Sequence, residues 1–186
     1  MASAINNHAA FIWGIAELLR GDYKQSDYGK VVLPFTLLRR LDCVLEETKP
    51  KVLKEYAAKK NISQAVLDPT LKKKSGFSFY NVSPFVNFEA LLGDSNNLRK
   101  NLNAYIKGFS DNVRDVFEHY DFHAQIDKLD SSNLLYQVVQ KFAGVDLHPQ
   151  ALSNTEMGAM FEELIRRFAE LSNETAGEHY TPREVI

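Results

Sequence analysis

Four groups of residues in this 186-residue chain have types and spacings that could do chemistry. The first is the tail, Gly177-Glu178-His179-Tyr180-Thr181-Pro182-Arg183-Glu184-Val185-Ile186. Thr181 suits a helix N-cap, Pro182 takes the favoured first helical position, Glu184 stands where a capping box needs its acid, and Val185-Ile186 opens an apolar stripe. A capped helix start presents unpaired backbone N–H groups and the positive end of the dipole, which suit a carboxylate or phosphate, although most such starts bind only water. The sequence announces a helix and then stops, so a further domain is expected to continue it.

The second group is basic. Between Lys49 and Lys74 eight lysines (49, 51, 54, 59, 60, 72, 73, 74) stand against Glu55 and Asp68, a local +6 in a chain of net charge −2. The other residues carry 14 basic and 22 acidic side chains, so the protein as a whole is not coated in positive potential. This segment, Lys72, Lys73 and Lys74 above all, could lie along phosphate; the alternative is a solvated helix face followed by a lysine loop. Arg39 and Arg40, which cross an apolar stripe, are the next cationic candidates for phosphate contact. The third group is His119 and His123, four apart as on a zinc-binding helix, with Asp115 and Asp121 nearby. No third and fourth ligand is evident, so solvated or capping histidines, and no metal, are expected. The fourth is aromatic: Phe77, Phe79, Tyr80, Phe85 and Phe88 could stack bases, yet few basic groups interleave them and core packing is the better account. Cys43 is the single cysteine, which excludes a disulfide framework and a cysteine-rich zinc site.

The elements that must position these groups read as helices. Phe11, Ile12, Ile15, Leu18 and Leu19 form one helical face that Gly21 ends; Ser26 or Asp27 caps a second helix with Val31, Phe35, Leu38, Leu41 and Leu45 inward, and Pro34 predicts a kink or a later start. Lys51 to Lys60 predicts a third, closed by Asn61. Asp68-Pro69, the lysine triplet and Ser75-Gly76 predict a long connection. Phe77, Phe79 and Tyr80 suggest a brief strand, with Val145-Asp146-Leu147 as the available partner. Helices are expected at roughly Phe85 to Leu92, Asn97 to Phe109, Ser110 to Tyr120 and Ser132 to Phe142. The last begins at a capping box, Ser153-Asn154-Thr155-Glu156, and carries Met157, Met160, Phe161, Leu164, Ile165, Phe168 and Leu171 at three- and four-residue spacing; Ser172 to Gly177 reads as a polar linker. The expected fold class is mainly α, an irregular multi-helix bundle with at most a short two-stranded β ribbon. No stretch is apolar enough for a membrane span and the first residues lack a secretory pattern, so a soluble, cytoplasmic protein is expected.

Three segments carry a family resemblance. Gly177 to Val185 is similar to the G-x-[YF]-[YF]-T-P-R segment that precedes the cofactor domain in the modification subunits of type I restriction-modification systems and related N6-adenine methyltransferases. Phe11-Ile12-Trp13-Gly14-Ile15-Ala16-Glu17-Leu18-Leu19-Arg20-Gly21, followed by Tyr28-Gly29-Lys30-Val31-Val32-Leu33-Pro34-Phe35-Thr36-Leu37-Leu38-Arg39-Arg40-Leu41-Asp42, resembles that family's amino-terminal signature. Met160-Phe161-Glu162-Glu163-Leu164-Ile165-Arg166-Arg167-Phe168 does too.

The resemblance implies an amino-terminal helical domain over residues 1–172, and over 173–186 a linker with the first residues of an S-adenosylmethionine-dependent methyltransferase domain. It implies that Glu178, His179, Tyr180, Thr181, Pro182 and Arg183 touch or border S-adenosylmethionine; His179 fills a position that varies in the family. It implies as partners DNA, the specificity and restriction subunits of the same system, and a second copy of the modification subunit. Neither Asn-Pro-Pro-[Phe/Tyr], which would hold a flipped adenine, nor Gly-x-Gly, the usual S-adenosylmethionine loop, occurs in the chain. No catalytic residue is therefore assigned and this polypeptide is not expected to methylate DNA alone. The competing expectation is a helical interaction module that binds a partner protein without any DNA role.

Overall fold

In the computed structural model, which describes residues 2–176, the first helix, α1 (Ala2–Ile15), begins well before the apolar stripe. It tightens into a 3-10 turn (Ala16–Leu19) and stops at Gly21, whose φ of +94° a residue with a Cβ rarely adopts. Ile12, Ile15 and Leu19 are buried, but Phe11 is 47 % exposed: it lies beside the inward face.

Helix α2 (Tyr28–Leu45) follows a short 3-10 turn (Gln25–Asp27) and is the axis of the fold. It runs through Pro34 unbroken; the missing N–H costs one bond, to the Lys30 carbonyl, and burial of Val31, Val32, Phe35, Leu38 and Leu45 outweighs it. Against it pack α7 (Phe122–Ser131) and α8 (Leu135–Ala143), with α5 (Leu98–Lys107) and α6 (Asp111–His119) packed on α7. The Phe35 ring stacks on Phe142 at 5.3 Å and meets Phe122 edge-on at 4.8 Å. Contacts from Phe35 to Phe88, Tyr105, Phe109, Phe117, Phe122 and back close a ring of six aromatics around the core. Offset and edge-to-face pairs of this kind add about 0.5–1.5 kcal/mol each beyond area burial. Helix α7 has no counterpart in the sequence expectation, although Phe122, Ile126 and Leu129 give it a buried face at helical spacing.

Two segments are structured differently from the expectation. Residues Gln64–Ser75 form helix α4, antiparallel to α3 (Lys49–Lys59), where a loop was expected. Leu67 and Leu71 pack with Val52 and Tyr80 in a small second core, which sustains the helix across Pro69. Conversely, Phe85 to Leu92, where a helix was expected, forms no α-helix: bends at 86–88 lead into a 3-10 turn at Glu89–Gly93. No strand forms among the described residues. The extended segment after Tyr80 instead pairs with the turn after α5: Val82 N–H donates to Gly108 O at 2.8 Å and Ser110 N–H to Tyr80 O at 3.1 Å. A Cβ on Gly108 would stand 2.6 Å from the Ser83 nitrogen, so only glycine permits this approach. Val145 to Leu147, the expected strand partner, lies against α2.

Helix α9 (Asn154–Ala176) opens on the anticipated capping box, with Ser153 N–H donating to Glu156 Oε2 at 2.9 Å and Glu156 N–H to Ser153 Oγ at 3.3 Å. Met157, Met160, Leu164 and Phe168 are buried against α1 and α2, and Phe168 stacks on Trp13 at 4.9 Å. Ile165 is 46 % exposed and Phe161 only partly buried, so the inward stripe is narrower than the apolar spacing suggests. The helix continues through Ser172 to Ala176, where a linker was expected. No helix among the described residues is long and apolar enough to cross a membrane.

Candidate nucleic-acid interface

The basic segment folds as the α3–α4 hairpin, and its lysines divide into three sets. Lys49, at the base, is 2 % exposed and points inward. Its ammonium donates to Ser83 Oγ at 3.1 Å and to the Phe85 carbonyl, and lies 4.5 Å from the Tyr105 ring centroid. Close by, buried Asp42 accepts from Tyr105 Oη at 2.5 Å, Phe88 N–H at 2.9 Å and Arg39 Nη1 at 2.6 Å. Burial pushes Lys49 down to about 8, against the pull of Asp42, and pushes the Asp42 carboxyl and the Tyr105 hydroxyl up. This polar cluster fastens α2, α3, α5 and the 81–88 segment together.

A second set is tied to neighbouring acids: Lys59 to Glu55 at 2.6 Å, Lys72 to Asp68 at 2.7 Å and Lys74 to Glu55 at 3.4 Å. These are surface pairs, which contribute little to stability and exchange readily for a phosphate. The third set, Lys51, Lys54, Lys60 and Lys73, is exposed and has no ion pair among the described residues. The lysine triplet is thus the last turn of α4, where cations also suit the carbonyl end of the helix dipole. With Lys49 withdrawn, seven lysines and two acids remain outside, a surface charge of +5.

Arg39 and Arg40, the other cationic candidates, face inward. Arg40 is 5 % exposed and donates to the carbonyls of Leu147 and Leu152, each at 2.7 Å, and to Asn154 Oδ1 at 2.8 Å. Arg39 donates from Nε to the Val145 carbonyl at 2.9 Å, besides its bond to Asp42. Their guanidinium groups satisfy the irregular 145–154 backbone and seat it on α2, so their place is structural.

His119 and His123 do not share one helix, although their four-residue spacing suggests it. They sit on different helices, α6 and α7, with Asp121 at φ +50° between them; His119 Nδ1 contacts the Asp115 carbonyl and His123 Nδ1 contacts Asn103 Oδ1. No group of three or more metal-ligating side chains occurs among the described residues. Of the aromatic cluster, Tyr80 and Phe88 are buried and Phe79 and Phe85 packed on the core; Phe77, 40 % exposed, stacks on Phe79. Cys43 is buried, and burial pushes its thiol up to about 11. Glu178, His179, Tyr180, Thr181, Pro182 and Arg183 lie outside the described residues.

Sequence reasoning missed the cations of α5. Arg99, Lys100 and Lys107 border an open depression of about 670 Å³ together with Asn103, Ala104 and His123. Lys100 and Lys107, seven residues apart, fall on one helix face, a spacing legible in the sequence.

The fold and this basic hairpin define an all-α domain with a polar-clamped core. Residues 8–142 match the family model described as the HsdM N-terminal domain, and the chain belongs to that family, the amino-terminal domain of the modification (methyltransferase) subunit of type I restriction-modification systems. Comparisons with curated proteins and with solved structures returned no match.

Proposed function

We propose that this domain serves a DNA adenine-N6 methyltransferase complex in the cytoplasm by holding the DNA backbone without reading bases, and by contacting the specificity subunit. The observation that carries the DNA reading is the α3–α4 hairpin: within a family of modification subunits, it presents seven lysines to solvent against two acids. Such a surface releases counterions from phosphate and has no means to distinguish sequences, which suits a domain whose complex delegates recognition elsewhere. The restriction subunit and a second modification subunit complete the proposed assembly. S-adenosylmethionine would supply the methyl group, and Glu178 to Arg183 are the residues of this chain proposed to border it.

The test is to replace Lys51, Lys54, Lys60 and Lys73 by alanine in the assembled methyltransferase complex and measure duplex affinity across a salt series. Each lysine in phosphate contact contributes about 0.9 to the slope of log affinity against log salt. Target and unrelated duplexes should weaken alike, and the slope should flatten by up to about four times that amount. Unchanged affinity and slope would remove the hairpin from the DNA path.

A further inference from the structure

Beyond the hairpin, we infer that the depression on α5 is a second seat for the phosphate backbone, reached from the hairpin through Lys107; the inference rests on the DNA reading proposed above. Three observations carry it. The depression is lined by Arg99, Lys100, Asn103, Ala104, Lys107 and His123, so that no carboxylate lines it. Arg99 also reaches out of it to Asp127 at 3.2 Å and Asp130 at 3.4 Å, but all three side chains are about half exposed, and such pairs yield readily. Lys100 and Lys107 are exposed, have no ion pair among the described residues and stand two helical turns apart, roughly 10 Å. That distance corresponds to about three axial rises of 3.4 Å along one strand, so the two ammonium groups can reach different phosphates of the same strand.

The second observation is continuity. Lys107 also lines a groove of about 330 Å³, bordered by Tyr56 of α3 and Gln64 of α4 on one side and on the other by Asp111 and Arg114 of α6, which are ion-paired to each other. A strand lying on Lys100 and Lys107 is therefore led toward the hairpin rather than away from it. The third observation is the wall that limits the path. The adjoining depression shares Lys107, Asp111 and Arg114 with that groove and His123 with the trough, but adds the carboxylates of Asp115 and Glu118. Those two added carboxylates disfavour phosphate on that side, so the more favourable route runs along α5 and turns at Lys107. An open, shallow, cationic trough of this kind fits a phosphodiester backbone better than an enclosed small molecule.

Lysine acetylation of the assembled complex, with and without an unrelated duplex and read by mass spectrometry, tests the trough separately from the hairpin. The expected result is that duplex shields Lys100 and Lys107. If it shields Lys51, Lys54, Lys60 and Lys73 but not these two, the trough fails while the DNA reading survives; if it shields none of the six, both fail. Shielding of Lys100 and Lys107 before any duplex is added would make the trough a protein contact and overturn the proposal. In the salt series, Lys100→Ala with Lys107→Ala should lower the slope by about 1.8 with an unchanged melting profile. An unchanged slope would overturn the assignment.

Discussion

Lys49 offers the sharpest test of the polar core, because its side chain carries charge where the sequence would place a solvated lysine. The ammonium is 2 % exposed, and burial holds its pKa near 8, against 10.5 in an unfolded chain. At neutral pH the folded protein therefore carries a proton it holds less firmly than the unfolded chain does, a cost of about 3 kcal/mol at one and a third kcal/mol per pKa unit. Between these two values the unfolded chain binds more protons, so stability from this group must rise with pH. Across pH 8 to 9 the gain is about 1 kcal/mol, which for a chain of this size raises Tm by about 2–4 °C. Lys49→Met keeps the aliphatic stem and removes the titration. It leaves Ser83 Oγ and the Phe85 carbonyl without this donor, a loss of about 1–3 kcal/mol that nearly cancels the relief of charge at pH 7. The readout is the difference in Tm between wild type and variant, followed by thermal circular dichroism from pH 7 to 9.5. Cys43 at about 11 and the buried tyrosines, all held above their ordinary values, cost stability at higher pH in both proteins and cancel in that difference. A difference constant from pH 7 to 9.5 would refute the reasoning and place the Lys49 amine in contact with water.

Two further predictions concern α9 and the segment that joins it to α8. His148 is exposed to burial, which lowers its pKa, but its bonds to Glu46 and Asp146 outweigh this and hold it above 6.5, so its contribution is full below pH 6.5 and lost as pH rises through the folded value. His148→Gln should therefore flatten the fall in Tm above pH 6.5, and a variant with the wild-type profile would discount the contact. On α9, Leu164→Ala should cost about 2–5 kcal/mol in chemical denaturation, whereas Ile165→Ala should cost less than about 1; equal losses would mean that the α9 packing is wrong.

The fold was legible wherever one face of a helix faces one core. The capping box of α9 and the stripe of α2 are local patterns, and both helices form where expected. Illegible were the places where tertiary packing overrides a local signal. Pro69, the lysine triplet and a low share of apolar residues read as a connection, yet Leu67 and Leu71 suffice for a helix once Val52 and Tyr80 stand opposite. Phe77, Phe79 and Tyr80 read as strand, and their segment does pair its backbone, but across to the Gly108 turn, a partner no pattern in either stretch announces.

The candidate interface shows the same limit more sharply. Lys49, Lys51 and Lys54 are alike as letters, and hydropathy gives each the same outward preference. Which of them turns inward is decided by the carbonyl of Phe85 and the hydroxyl of Ser83, acceptors brought there by another segment, with the charge of Asp42 close by. Arg39 and Arg40 are drawn in by the same cause, because the 145–154 segment is irregular and its carbonyls need donors that a helix would have supplied internally. A buried cation thus marks where backbone lacks partners, and an exposed one where nothing claims it. By that criterion the surface open to phosphate comprises the outer lysines of α3 and α4 together with Lys100 and Lys107, while the arginine pair, conspicuous in the sequence, holds the fold that presents them.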